Sequence, residues 1–262
     1  MINLYIYHFL IKYSYMTYCI GIKTKEGLVF ASDSRTNAGM DNVNIYSKMF
    51  THDVGDRTII IVTSGNLGTS QAVYKSIEKD LKGNSGTNLN TCKDFEQIAN
   101  YLGKLNIKHS SPDGINTDIL TLGATFIVGG QIKGQPQEIY LVYPQGNFIR
   151  PADSKPYLVI GEVKYGKPIL DRVITPNVKI GDASRCALIS MDSTLKSDLT
   201  VGPPIDFAIY KKDTNKIASL KCLSTSDEDY AKVCNQWSDK VVKLFDTFPR
   251  FDWEILILDF SD

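Results

Sequence analysis

The sequence predicts an α+β fold of four layers, two stacked antiparallel sheets with helices on both outer faces. Three observations predict it. Strand-like segments and helix-like segments alternate in groups, in the order strands, two helices, strands, two helices, strands. Strand pairs are joined by short turns, which favours antiparallel neighbours. No linker-like stretch interrupts the pattern, and 262 residues suffice for one large core.

The elements follow in order. "TYCIGIKT" (17–24) and "GLVFASDS" (27–34) read as strands, with Lys25-Glu26 as a tight turn before Gly27. "NIYSKMFTHD" and "RTIIIVTSG" form a second pair around Asp53, Gly55 and Asp56. Together the four suggest an antiparallel meander. "GTSQAVYKSIEKDLKG" spaces Val73, Ile77 and Leu81 as on one helix face and ends at Gly83. "TCKDFEQIANYLGKL" does the same with Phe95, Ile98, Tyr101 and Leu102, and residues 107–120 read as a surface loop. "GATFIVGGQI", "QEIYLVYPQG" and "YLVIGE" are the next strands. Helices follow at "YGKPILDRVI" and "DASRCALISMDSTLKSD", then strands "IDFAIYKK" and "KIASLKCLS". An amphipathic segment from Asp227 to about Phe248 closes the chain, its acidic "SDEDY" suited to a helix N-terminus.

Composition narrows the chemistry. Lys+Arg and Asp+Glu are 29 each, which gives no reason to expect nucleic acid or a membrane surface as partner. Five cysteines without a C-x-x-C pair read as reduced and buried. With three histidines, a His-rich metal site or a Ser-His-Asp triad is poorly supplied. No metal, cofactor, phosphate loop or dinucleotide fingerprint is expected, and the cytoplasm is the expected location.

One chemistry needs no histidine. If Thr17 is the first residue, its hydroxyl stands beside a free α-amine of pKa near 8, able to act as general base. A lysine near the hydroxyl would lower its pKa, and a carboxylate would keep that lysine charged. Asp33 ends the strand paired with that of Thr17, and Lys48 lies on the next strand-like segment, so the three converge at one end of the meander. Gly65, between a strand and a helix, can lend a backbone N–H to an oxyanion; the plainer reading of that turn is a helix start capped by Thr69 or Ser70.

"TYCIGIKTKEGLVFASDSRTNAG", "SGNLGTSQ", "IGEVKYGKPILDR" and "ALISMDSTLKSDLTVGPPIDFAIYKKD" resemble the proteasome-type β subunits, above all the bacterial ancestral β-subunit branch. The resemblance runs from Met16 to near the C-terminus. It implies an N-terminal-nucleophile hydrolase fold, with Thr17 as catalytic threonine, Asp33 and Lys48 as its support, Gly65 at the oxyanion hole, and Thr36 and Asn37 lining the substrate channel. The family's late aspartate best matches Asp198, with Asp192 as the alternative. Two positions depart from the pattern: Glu162 follows Gly161 where a serine is common, and Val201 stands where a second serine belongs.

The expected organisation is a segment 1–16, absent or removed in the active form, and one domain over 17–262. Met16 resembles an initiator methionine, removable before the small Thr17. The expected activity is threonine-type peptide hydrolysis through an acyl-enzyme. A non-peptidase amide hydrolase and an inactive assembly subunit are the alternatives. The implied partners are peptide or unfolded protein and further copies in a ring or helical assembly. A regulatory ATPase partner cannot be read from the sequence.

Overall fold

The computed structural model describes residues 17–37, 43–83, 86–110 and 122–254; the expected segment 1–16 lies outside them. The chain starts with strands β1 (Tyr18–Lys23) and β2 (Gly27–Asp33). Short strands β3 (Arg35–Asn37) and β4 (Val43–Ile45) follow, then β5 (Met49–Val54) and β6 (Arg57–Gly65). Helices α1 (Leu67–Gly83) and α2 (Phe95–Ser110) come next. After them run β7 (Ala124–Ile132), β8 (Glu138–Val142), β9 (Phe148–Ile149) and β10 (Tyr157–Gly161). Helices α3 (Lys167–Val173) and α4 (Ile180–Ser197), strands β11 (Ile205–Lys211) and β12 (Ile217–Leu223), and helix α5 (Glu228–Phe245) complete the chain.

Two five-stranded sheets form the centre, ordered β10-β1-β2-β11-β12 and β5-β6-β7-β8-β9, and every pairing is antiparallel. Alternation along the strands sorts the side chains into three apolar layers. Leu28 and Phe30 of β2 meet Ile60, Val62 and Ile127 of the facing sheet. Val29 and Ala31 point the other way, onto Leu170, Ala187 and Met191 of α3 and α4. Ile59 and Ile61 of β6 pack under Val73, Ile77, Ile98 and Leu102 of α1 and α2. The result is the four-layer sandwich that the segment order predicts. Strands buried on both faces read as unbroken apolar runs, which explains "IIIV" in β6.

Three expectations are corrected. The first four strand segments do not form one meander: β1–β2 belongs to one sheet, β5–β6 to the other, and β3–β4 is a separate ribbon. "NIYSKMFTHD" is two strands, so Lys48 lies in the short link before β5 and not on a strand. Helix α2 continues through Ser110, four residues into the expected loop, the rest of which (111–120) lies outside the described residues. The cysteines are all unpaired; four are buried, and Cys222 is exposed.

Candidate active site at the start of β1

Thr17 precedes β1 and is 6% exposed. Its carbonyl accepts the Glu162 N–H at 2.7 Å. The end of β10 therefore wraps around Thr17, and Gly161 makes that possible. Its φ is +88°, and a Cβ there would stand 1.8 Å from the Thr17 carbonyl oxygen, so a side chain is excluded on both counts.

The next residue joins Thr17 to a buried charge pair. The Tyr18 N–H donates to Asp33 Oδ1 at 3.0 Å, and Lys48 Nζ donates to the same oxygen at 2.8 Å. Lys48 Nζ also donates to the Arg35 carbonyl at 2.6 Å. The Gly202 N–H reaches Asp33 Oδ2 at 3.3 Å. Asp33 is fully buried, and Lys48 is 4% exposed. Two charges removed from water persist only when paired and supplied with further hydrogen bonds, and these contacts supply them. Burial pushes the Asp33 carboxyl up from its ordinary range, while the Lys48 ammonium and the Tyr18 and Gly202 N–H groups pull against that rise.

The backbone of Lys48 is fixed as well. Its carbonyl accepts from Thr63 N–H and from the Tyr74 hydroxyl, both at 3.1 Å. The link that carries Lys48 is thus tied to β6 and α1. Behind it, Cys19 Sγ donates to the Thr63 carbonyl at 3.3 Å. Burial pushes the Cys19 thiol well up, so it stays protonated and does not compete as a nucleophile.

Gly65 ends β6 opposite Ala124, two residues beyond Thr63. Its φ of +103° turns the chain from strand into helix. The cap of α1 is Asn66, whose Oδ1 accepts the Thr69 N–H at 3.1 Å, in place of the Thr69 or Ser70 cap read from the sequence.

Asp198 caps the C-terminal end of α4. Its Oδ1 accepts from Thr200 N–H at 2.8 Å and from Thr200 Oγ1 at 2.6 Å. The carboxylate thereby shapes the turn that presents Gly202 to Asp33. Asp192 is placed elsewhere, paired at 2.8 Å with Lys196 along α4. Thr36 sits on β3 and donates to the Asn44 carbonyl at 3.0 Å; Asn37 ends the same strand opposite Val43.

The structure thus gathers Tyr18, Asp33, Lys48 and Gly202 by direct bonds, with Thr17 one residue away. It links Asp198 to that group through the 199–202 turn and places Thr36 beside it in the chain. Sequence reasoning missed three contributors. Arg35 is the first: its guanidinium donates to the Leu199 carbonyl at 2.6 Å, and its N–H donates to the Gly202 carbonyl at 3.2 Å. Gly202 is the second and Thr200 the third. Thr200, adjacent to the Val201 that breaks the pattern, provides the hydroxyl that meets Asp198. Among the described residues no three His, Cys, Asp or Glu side chains cluster as a metal site would require, and no helix is long and apolar enough to cross a membrane.

An antiparallel α-β-β-α sandwich with a threonine at the head of β1 and a buried Asp–Lys pair beneath it defines the proteasome type of fold. The proteasome subunit family model matches residues 16–210, and the chain belongs to that family. Among solved structures it is similar to Anbu, the ancestral β subunit. The Yersinia bercovieri protein is 36% identical, over 90% of this chain and 98% of that one, at a TM-score of 0.85. The Hyphomicrobium sp. strain MC1 protein is 38% identical, over 90% and 99%, at 0.81. A helical assembly of the Anbu complex from Pseudomonas aeruginosa is 38% identical, over 89% and 98%, at 0.80.

Proposed function

We propose that the chain, when it begins at Thr17, is a threonine-type peptidase. The observation that carries this reading is the buried Asp33–Lys48 pair bonded to the residue next to Thr17. Thr17 Oγ attacks the substrate carbonyl, and the α-amine takes the hydroxyl proton, directly or through a water. The oxygen of the tetrahedral intermediate accepts from the Gly65 N–H. The C–N bond then breaks, the amine carries the proton to the leaving group, and an ester on Thr17 remains. Water hydrolyses that ester and restores the hydroxyl. The Lys48 charge favours the neutral amine and the ionising hydroxyl. Asp33 keeps that charge in place, Asp198 holds the turn behind it, and Thr36 and Asn37 border the substrate's path. No cofactor enters these steps. Peptide or unfolded protein is the substrate class, and the cytoplasm is the proposed location.

The test compares a chain starting at Thr17 with its Thr17→Ala variant on a fluorogenic peptide amide. The expected result is a burst matching one acyl group per chain, and a stoichiometric mass gain at Thr17 with an electrophilic inhibitor. Equal hydrolysis by the alanine variant would sink the reading.

We further propose that the chain works as a homo-oligomer through α5. Asp227 caps this helix by accepting the Tyr230 N–H, and Tyr230 and Cys234 seat its first turns on α4. Its later turns leave Val242 64% and Phe245 73% exposed, with Phe248, Phe251 and Trp253 exposed beyond them. An apolar surface of that kind is normally covered. A helical assembly of a similar protein favours a second copy as the cover. Val242→Asp with Phe245→Asp is expected to shift the mass in light scattering to a smaller species while circular dichroism stays the same. An unchanged mass would refute this assignment.

A further inference from the structure

A pit of about 940 Å3 opens at the end of the sandwich opposite Thr17. Lys23 on its wall closes β1, so the pit lies roughly 20 Å from Thr17 at the usual rise per strand residue. It is built from the tips of five connections, one of which, between α3 and α4, brings Pro176. The β1–β2 turn brings Lys23 and Lys25, the β7–β8 turn Glu138, the β9–β10 loop Arg150 and Asp153, and the β11–β12 turn Lys212. Four prolines also line it, which limits how far these loops can rearrange.

The charges in the pit do not cancel. Glu138 is neutralised by Lys23 at 2.8 Å. Among the described residues, Lys25 bonds only to the neutral Asn177 amide oxygen, at 2.7 Å. Arg150 and Lys212 have no carboxylate partner among the described residues, and Asp153 is the one acid left against three cations. The whole chain is formally neutral, so this excess is local. A concave site with one sign of charge concentrates counter-ions.

A second observation comes from the wall. Gln137 is 4% exposed, and its Nε2 braces the pit by donating to the Thr24 carbonyl at 2.6 Å. Its Oε1 is buried and has no partner among the described residues. The Nε2 bond ties the β7–β8 connection to the β1–β2 turn and so fixes the wall of the pit.

We propose that this pit binds a small anion with two or more negative charges. The volume fits the range of small-molecule sites. Arg150, Lys212 and Lys25 take the anionic oxygens in charge-assisted bonds. The site is independent of the chemistry at Thr17.

The experiment is calorimetric titration of the full chain with citrate and, separately, with inorganic tripolyphosphate at low salt. Saturable binding of one ion per chain is expected, weakening as salt rises. The exposed pair Arg150→Glu and Lys212→Glu is expected to lower affinity about tenfold or more. Lys243→Glu on the distant helix α5 is expected to leave it unchanged. The proposal is overturned if neither ion binds below about 10 mM, if the double variant binds as the parent does, or if Lys243→Glu loses as much. It is equally overturned if hexaglutamate binds and neither small ion does, since the pit would then serve an acidic protein segment. A double variant that fails to fold is replaced by the two single changes, read by the same criteria.

Discussion

Replacing Lys48 with methionine is expected to cost the fold about 3–5 kcal/mol and to remove hydrolysis by about 10²–10³-fold. The large stability term does not come from the loss of one attractive pair. It comes from leaving Asp33, fully buried, as an uncompensated charge. Two backbone donors, Tyr18 and Gly202, remain, and they cannot replace an ammonium at 2.8 Å. The variant should also acquire a pH dependence of known sign. Burial already pushes the Asp33 carboxyl up, and without Lys48 that push is opposed only by the two N–H groups. A carboxyl whose folded pKa lies above its unfolded one stabilises the fold below the unfolded value, and that stabilisation is lost as pH rises through the folded value. Lys48→Met should therefore be least damaged in acid and progressively worse toward neutral pH, measured as Tm against the parent. Adding Asp33→Asn should restore most of the stability and none of the activity. A single variant as stable as the parent at neutral pH would show that the pair does not hold the fold in this way.

Gly161→Ala is the second large effect. The new Cβ would stand 1.8 Å from the Thr17 carbonyl oxygen, at a φ of +88°. Separation to van der Waals contact requires a shift on the order of 1 Å or more, and the obstacle is backbone with no rotamer to give. Strain at positive φ adds on the order of 1 kcal/mol, so a loss of about 2–4 kcal/mol is expected in all. Thr17 must move with its carbonyl, and a displacement of that size costs roughly 10²-fold in rate. Gly134→Ala separates the two causes. Gly134 also has a positive φ, +81°, but a Cβ there meets nothing within 4 Å. It should lose only the strain term and keep its activity. Equal melting temperatures and equal rates for the two variants would count against the clash.

Much of this was legible in the sequence, and what was not has physical reasons. The strand pattern gave away β6 to the residue, because a strand buried on both faces has an unmistakable composition. The sheet to which each hairpin belongs was not legible. Turn residues such as Lys25-Glu26 report only that two neighbouring strands pair, and β5–β6 carries the same kind of signal as β1–β2. Asp33 and Lys48 stood out as charged residues in order after Thr17. Gly202 did not, because its contribution is a backbone N–H, a group every residue but proline carries, delivered from 169 positions away. Thr200 was hidden by one residue: Val201 occupies the expected place of a hydroxyl that the turn supplies from its neighbour. Arg35 was hidden because its work is split between its carbonyl, its N–H and its guanidinium.

The donors to Asp33 come from Tyr18, Lys48 and Gly202, and this spread has a bearing on synthesis. Thr17 and Asp33 leave the ribosome early, and Gly202 emerges only after nearly four fifths of the 262 residues. Until then one carboxylate oxygen lacks its backbone donor, and the turn that carries it has no β11 to anchor it. A growing chain consequently holds Thr17 without the finished charge arrangement around it. The order of translation itself delays completion of the buried charge site until the fold is nearly whole.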